Sequence, residues 1–186
     1  MISKEVYEYT QGFRPMAGKY VTREEAFNER ISKAYEEERG EPKSKAEIIA
    51  YVKEFLKMYG FTNPVCFEEK ASPFLKPYEK AKQYDRIKNE YNLFDKSHIV
   101  WMKFAVKDAK VHLGVVAAGA DINFDMKIPS GKIISELGYS WEEESILICP
   151  LPNIGDKQRN DIECGIGNYL SRVGKVSILD YYSHFY

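Results

Sequence analysis

The chain has 186 residues, and Lys plus Arg (27) nearly balances Asp plus Glu (28), which leaves a net charge of −1. Hydrophobic residues at 44% and charged residues at 30% are typical of a globular protein and exclude wholesale disorder. Proteins that coat DNA or RNA carry a strong basic excess, so only a local patch could serve that purpose here. No run approaches the roughly 18 apolar residues that span a bilayer.

The cysteines and the N-terminal segment predict a reducing, cytoplasmic setting. Cys66, Cys149 and Cys164 are odd in number and widely spaced, so they fit neither a disulfide framework nor a CxxC metal site. The segment 1–20 lacks the apolar stretch of a signal peptide. The three histidines are too scattered to indicate zinc. We therefore expect no metal, no cofactor and no membrane segment.

The first half of the chain predicts three long helices. Thr22 followed by Glu25 is a capping box, and Ser44 with Glu47 repeats the pattern. Apolar residues recur at helical spacing after each box, and a glycine ends each run. A third helix follows two chain-breaking prolines. The predicted helices span about 22–39, 44–60 and 78–94, with a short strand at 65–69.

The second half predicts mainly strands. The β-rich runs 99–107 and 110–117 flank Asp108-Ala109, which indicates a tight hairpin. The run 122–128 alternates apolar and polar residues, and it completes a three-stranded meander over about 99–128. A short helix at 129–137, a strand at 145–149, a helix at 156–173 and a strand at 176–179 follow. Strand, helix and strand in that order are compatible with a crossover connection.

These elements predict a single α+β domain covering residues 1–186. It would be helix-rich over 20–94 and sheet-rich over 97–182. The predicted sheet is antiparallel or mixed and has four to six strands, packed with three long helices.

One face of the predicted meander is polar. A two-residue turn pairs Ala105 with His112 and Lys103 with Gly114, and a four-residue turn then aligns Gly114 with Asp125. Two interpretations stay open: a partly exposed sheet face with weak ion pairs, or a binding site for an anionic or nucleotide ligand. The candidate ligand-binding residues are Trp101, Lys103, His112, Asp125 and Lys127.

Asp125-Met126-Lys127 also has the acid-x-Lys form of many metal-dependent nucleases. There the acid helps to hold a divalent cation and the lysine polarises the attacking water. A second carboxylate would have to come from Asp108 or Asp121, and both lie in predicted turns. The same face therefore carries a second hypothesis, a nuclease-like or ligand-binding enzyme.

The segment 76–91 interleaves basic and aromatic residues. Bases could stack on its tyrosines while its cations contact phosphates, with Lys80, Lys82 and Arg86 as the candidate nucleic-acid contacts. The alternative is a solvated helix face, because acidic residues dilute the charge. Its predicted buried stripe consists of Ala81, Tyr84, Ile87 and Tyr91.

Two further surfaces suggest a protein partner. Glu36, Glu37 and Glu38 make one face of the first long helix acidic. The chain also contains 14 tyrosines, a residue enriched at interfaces. Tyr181 and Tyr182 belong to an aromatic stretch that would dock within the molecule or on another subunit.

These observations favour a non-enzymatic protein that binds a macromolecular partner. An acidic surface could mimic nucleic acid against a basic protein. The excess of Lys over Arg is typical of AT-rich bacterial, phage or plasmid genomes. An accessory or defence-modulating, inhibitor-type protein of a mobile element fits both points. The sequence leaves a homo-oligomer open and does not identify the partner.

Overall fold

The computed structural model of the chain describes residues 1–11, 22–70, 75–92, 98–119 and 129–181, without the side chains of Pro129 and Tyr181. Among these residues no helix is both long and apolar enough to cross a membrane. The described part is α+β, as predicted. Its elements are α1 (Lys4–Gln11), α2 (Arg23–Glu37), α3 (Lys45–Tyr59), β1 (Phe67–Glu69), α4 (Pro77–Glu90), β2 (His98–Lys107), β3 (Lys110–Gly119), α5 (Pro129–Glu136), β4 (Ser140–Leu151), α6 (Asp156–Arg172) and β5 (Ile178–Tyr181).

The five strands form one mixed sheet in the order β1-β4-β2-β3-β5. Neighbouring strands are antiparallel except β3 and β5, which run parallel. β4 and β5 therefore run in the same direction and are joined through α6, which confirms the predicted crossover. It passes over two strands, because β2 and β3 lie between β4 and β5.

Helices cover both faces of the sheet, and each face has its own hydrophobic core. On one face α1, α3 and α6 contribute buried side chains such as Val6, Phe55 and Ile166. On the other face α2, α4 and α5 contribute Ala34, Ile87 and Ile133. The strands are therefore apolar on both sides, as expected for a sheet buried between helical layers.

The helix starts follow their capping signals. Both predicted capping boxes are formed, at Thr22 with Glu25 and at Ser44 with Glu47. α3 ends at Gly60, whose φ of 126° suits a residue without Cβ. Helix α1 was not predicted. Ser3 Oγ accepts a hydrogen bond from the Val6 backbone, so a weak capping signal was present.

The predicted hairpin is confirmed, but its register is only partly right. Asp108 and Ala109 both have positive φ, as a two-residue turn of the primed type requires, and Ala105 pairs with His112. Phe104 pairs with Leu113, whereas Lys103 pairs with Val115. Gly114 is thus an extra residue in a β-bulge, and the predicted pairing of Lys103 with Gly114 is wrong.

The edge of β3 to which the alternation assigned a third strand is occupied by β5, with Leu113 opposite Ile178 and Val115 opposite Asp180. The predicted alignment of Gly114 with Asp125 involves a residue that the structure does not describe. Residues 122–128 themselves lie outside the described part of the chain.

Strand β4 is longer than the predicted run 145–149. It starts at Ser140. Lys103 and Ala105 of β2 pair with Ile146 and Trp141 of β4, so β4 has extra residues between these two pairs. The acidic residues Glu142 to Glu144 lie in this irregular stretch, which is why the apolar pattern began only after them. At its other end β4 continues through Pro150, opposite Ile99.

Candidate functional site

The described residues of the predicted polar sheet face are buried. Lys103 and His112 are 0% exposed and Trp101 is 2% exposed. Helical layers cover both faces of the sheet, so these three side chains do not line an open surface. Asp125 and Lys127 lie outside the described residues, and the acid-x-Lys motif with them. Lys103 and His112 also belong to two different clusters of contacts.

Lys103 belongs to a charge cluster at the irregular stretch of β4. Its Nζ donates to the Ser145 carbonyl at 2.6 Å and lies 3.9 Å from Glu142 Oε2. Ser145 Oγ donates to the same carboxylate oxygen at 2.9 Å and accepts from Lys45 Nζ. Lys45, at the start of α3, also pairs with Glu68 at 3.2 Å. Two lysines therefore neutralise two carboxylates, and the cluster fastens α3 to β1, β2 and β4.

Because the Lys103 amine is buried, its protonation affects the free energy of unfolding. Desolvation lowers the pKa of its amine from 10.5 to about 8, although Glu142 opposes the shift. In the unfolded chain the Lys103 amine keeps its proton up to the ordinary pKa of a lysine. Between about pH 8 and 10.5 the unfolded state therefore binds more protons than the folded state. The free energy of unfolding must then rise with pH across that window, because folding favours the neutral amine.

We expect this rise to disappear in Lys103→Met. Between pH 8 and 9 the wild-type free energy of unfolding should gain about 1 kcal/mol relative to the variant, since one unit of pKa corresponds to about 1.4 kcal/mol. Urea unfolding at both pH values measures the difference, and other titrating groups cancel in the comparison. Identical pH dependence of the two proteins would contradict the shift.

His112 lies in a second buried cluster, between α2 and the sheet. Its Nε2 is 3.2 Å from the Gly40 carbonyl oxygen, and its Nδ1 is 3.5 Å from the Tyr139 hydroxyl. Lys107 Nζ donates to the Leu137 carbonyl at 2.8 Å and lies 5.2 Å from the Tyr139 ring centroid. These contacts hold the end of α2 on the hairpin. Among the described residues no group of three or more His, Cys, Asp or Glu side chains could hold a metal ion.

The three glutamates predicted as a partner-binding face have different environments. Glu37 is half-buried, and desolvation raises the pKa of its carboxyl although it accepts a hydrogen bond from the Ile178 backbone. Glu38 lies 3.4 Å from Lys107 Nζ. Glu36 is exposed. Glu37 and Glu38 therefore help to dock α2, and Glu36 alone faces solvent fully.

The outer surface of α2 is nevertheless acidic along its length. Glu24, Glu29 and Glu36 are exposed and make no ion pair with any residue that the structure describes. Tyr35 lies among them with 43% of its surface exposed. We call these four residues the α2 surface. A helix that exposes an aromatic ring and several carboxylates without ion pairs is suited to contact a basic partner.

Helix α4, which carries the predicted basic and aromatic residues, is largely exposed to solvent. Of its predicted buried stripe only Ile87 is buried, and Ala81 is exposed because the helix touches the body along a narrow line. Tyr91 stacks on Phe67, with ring centroids 4.5 Å apart. Tyr78 is 71% exposed, and Lys82 Nζ lies 5.6 Å from the centroid of its ring.

The three candidate phosphate contacts of α4 are not equivalent. Arg86 forms ion pairs with Glu69 at 2.5 Å and with Glu90 at 2.8 Å, and the hydrogen bond that it donates to Glu69 raises its pKa. Lys82 is exposed and Lys80 is half-buried. The exposed lysine of the three, Lys82, therefore lies beside Tyr78 and away from the ion pairs of Arg86.

A buried ion pair that the sequence did not indicate connects α2 to the edge strand β5. Arg30 donates from Nε to Asp180 Oδ1 at 3.0 Å and from Nη2 to Oδ2 at 2.5 Å. The partners are 150 residues apart, so no local pattern could have paired them. The predicted partner residue Tyr181 ends β5 opposite Val116, and its side chain, like all of Tyr182, lies outside the described part.

Comparisons with known proteins give no relative for this chain. No protein-family model matches it, and neither a curated protein nor a solved structure matches it significantly.

Proposed function

We propose that this protein is a non-enzymatic binding protein whose α2 surface docks a basic region of a macromolecular partner. The observation that carries the proposal is that Tyr35 and the carboxylates of Glu24, Glu29 and Glu36 are all exposed on the same helix, α2. Carboxylates that already form ion pairs within the protein contribute little to the binding of an external ligand. Glu29 and Glu36 interact electrostatically with Lys33 on the same helix, but none of the three makes an ion pair with a described residue, so much of their field is available to a cation.

The way α2 is held supports the same proposal. Its inner side is fixed by Arg30 to Asp180, by Glu38 to Lys107 and by Ser177 Oγ, which donates to the Glu37 carbonyl. A surface on a rigid helix loses little conformational entropy when it binds. Exposed carboxylates on such a helix could also imitate the phosphates of a nucleic acid towards a basic protein.

We expect Glu29→Lys combined with Glu36→Lys to abolish partner capture without unfolding the protein. Tagged protein is incubated with a nuclease-treated bacterial lysate, and bound proteins are identified by mass spectrometry. Reversal of two exposed charges should lower the recovery of a specific partner at least about tenfold, which corresponds to about 1.4 kcal/mol of binding free energy.

The matched control is Glu8→Lys combined with Glu144→Lys. Both glutamates are exposed, and the net charge changes equally, but Glu8 lies on α1 at the other face of the sheet and Glu144 on β4. The control should capture the partner like wild type. If both double variants lose it equally, the effect is one of total charge and the α2 surface is not the site. If neither loses it, the proposal is wrong.

A second candidate function is nucleic-acid binding through α4, which the exposed Tyr78 beside Lys82 supports. A base could stack on this ring while the ammonium group contacts a phosphate. The same capture experiment separates the candidates. Material that is lost on nuclease treatment and in Lys82→Glu, but retained in the α2 variant, would favour α4.

A further inference from the structure

Two cysteines face each other across the edge of the sheet. β1 pairs with β4 so that Phe67 is opposite Ile148 and Glu68 is opposite Leu147. One residue further along the same register, Cys66 is opposite Cys149. Side chains in such directly opposed positions have Cβ atoms about 4.5–5.5 Å apart, close to the roughly 3.5–4.5 Å of a disulfide. The two side chains are near enough for Cys66 to contribute to the raised pKa of the Cys149 thiol.

The two thiols differ in access. Cys149 lies in a central position of β4 and is 0% exposed, and burial raises the pKa of its thiol well above the usual value. Cys66 precedes the three-residue edge strand β1 and is 4% exposed. Short edge strands open locally far more often than the protein unfolds, so Cys66 is the thiol that a reagent reaches first.

A cavity of about 220 Å³ lies beside the pair. Val65 and Pro150, the chain neighbours of the two cysteines, both belong to its lining. Phe61, Asn63 and Pro64 form its wall on the β1 side, and Pro152 forms part of the wall beyond β4. The cavity gives a small reagent space next to the strand that covers the thiols.

From this geometry we propose that Cys66 and Cys149 form a reversible intramolecular disulfide by exchange with a low-molecular-weight disulfide such as oxidised glutathione. The Cys66 thiolate attacks one sulfur of the reagent, and the first thiol leaves as the mixed disulfide forms. The Cys149 thiolate then attacks Cys66 sulfur and releases the second thiol. One reagent disulfide is reduced to two thiols while one protein disulfide forms, so electrons and protons balance.

The bond would connect the two walls of the cavity. The segment 61–65 leads directly into Cys66, and the end of β4 follows Cys149. Cross-linking them prevents β1 from separating from β4, and it fixes the cavity at one width. The redox state of the pair is thereby a switch for the apolar pocket, independent of the α2 surface.

The test is a thiol count on the folded full-length protein after equilibration with oxidised glutathione. Samples are quenched with acid, denatured and alkylated. We expect the number of free thiols to fall from three to one, because the chain has three cysteines and Cys164 is not part of the pair. The intact mass should fall by two hydrogens, a peptide map should link Cys66 to Cys149, and reduced glutathione should restore all three thiols.

Variants separate this pair from the other combinations. Cys164→Ser should go from two free thiols to none, whereas Cys66→Ser and Cys149→Ser should form no protein disulfide. Thermal unfolding of the reduced variants shows that each is folded. Three free thiols in the oxidised wild type, a link that includes Cys164, or a disulfide-bonded dimer on a non-reducing gel would each overturn the proposal.

Discussion

Asp180→Ala is expected to lower the free energy of unfolding by about 3–5 kcal/mol, the usual cost of removing one partner of a buried ion pair. The Arg30 and Asp180 side chains are only 8% and 3% exposed, and two hydrogen bonds join them. Without the carboxylate the guanidinium keeps its charge in a place that water does not reach. Urea denaturation of the variant measures the loss.

Two companion variants make this result specific. Arg30→Met combined with Asp180→Leu removes both charges, so it should recover most of the lost stability. Glu90→Ala breaks the exposed pair with Arg86, whose side chains are about half exposed, and should cost under about 1 kcal/mol. A cost for Asp180→Ala as small as that of Glu90→Ala would show that the buried pair does not hold α2 on the sheet.

Gly165→Ala is expected to destabilise the protein by about 2 kcal/mol or more, even though alanine is the better helix former by about 1 kcal/mol. A Cβ at this position of α6 would lie 2.2 Å from Phe55 Cζ. The Phe55 ring is fully buried and is surrounded by the rings of Tyr9, Tyr59 and Tyr169, so it has little room to withdraw. Thermal or urea unfolding measures the loss.

The contact with Phe55 can be isolated by a double-mutant cycle. In a Phe55→Leu background the added methyl group has space, and Gly165→Ala should become neutral or stabilising. Stabilisation by Gly165→Ala in the wild-type background would mean that α6 does not approach α3 as closely as described.

Much of the fold could be predicted because its signals are local. Capping boxes placed the starts of α2 and α3, and the Asp108-Ala109 dipeptide between two β-rich runs placed the hairpin. The errors in strand register arose where one inserted residue shifts the pairing of every residue after it. Gly114 forms a bulge that strict alternation does not anticipate, so Leu113 points into one core and Val115 into the other, although alternation would place both on the same face.

The burial of the sheet face could not be predicted for a different reason. Alternation identifies a polar side of a strand, but it does not show whether a helix will cover that side. Lys103 is tolerated in the interior because a carbonyl from the irregular stretch of β4 accepts its hydrogen bond. The acidity of α2 was visible in the sequence. The separate roles of Glu36, Glu37 and Glu38 depend on Lys107 and Ile178, which lie far along the chain.

The position of β5 also has a consequence for folding kinetics. The β2–β3 hairpin closes through a two-residue turn and can form early, whereas β5 reaches its place only after α6 has crossed the sheet. Contacts made by β5, among them the link between Arg30 and Asp180, would then be absent from the transition state. Loosening this edge should therefore shorten the lifetime of the native state and leave the refolding rate almost unchanged.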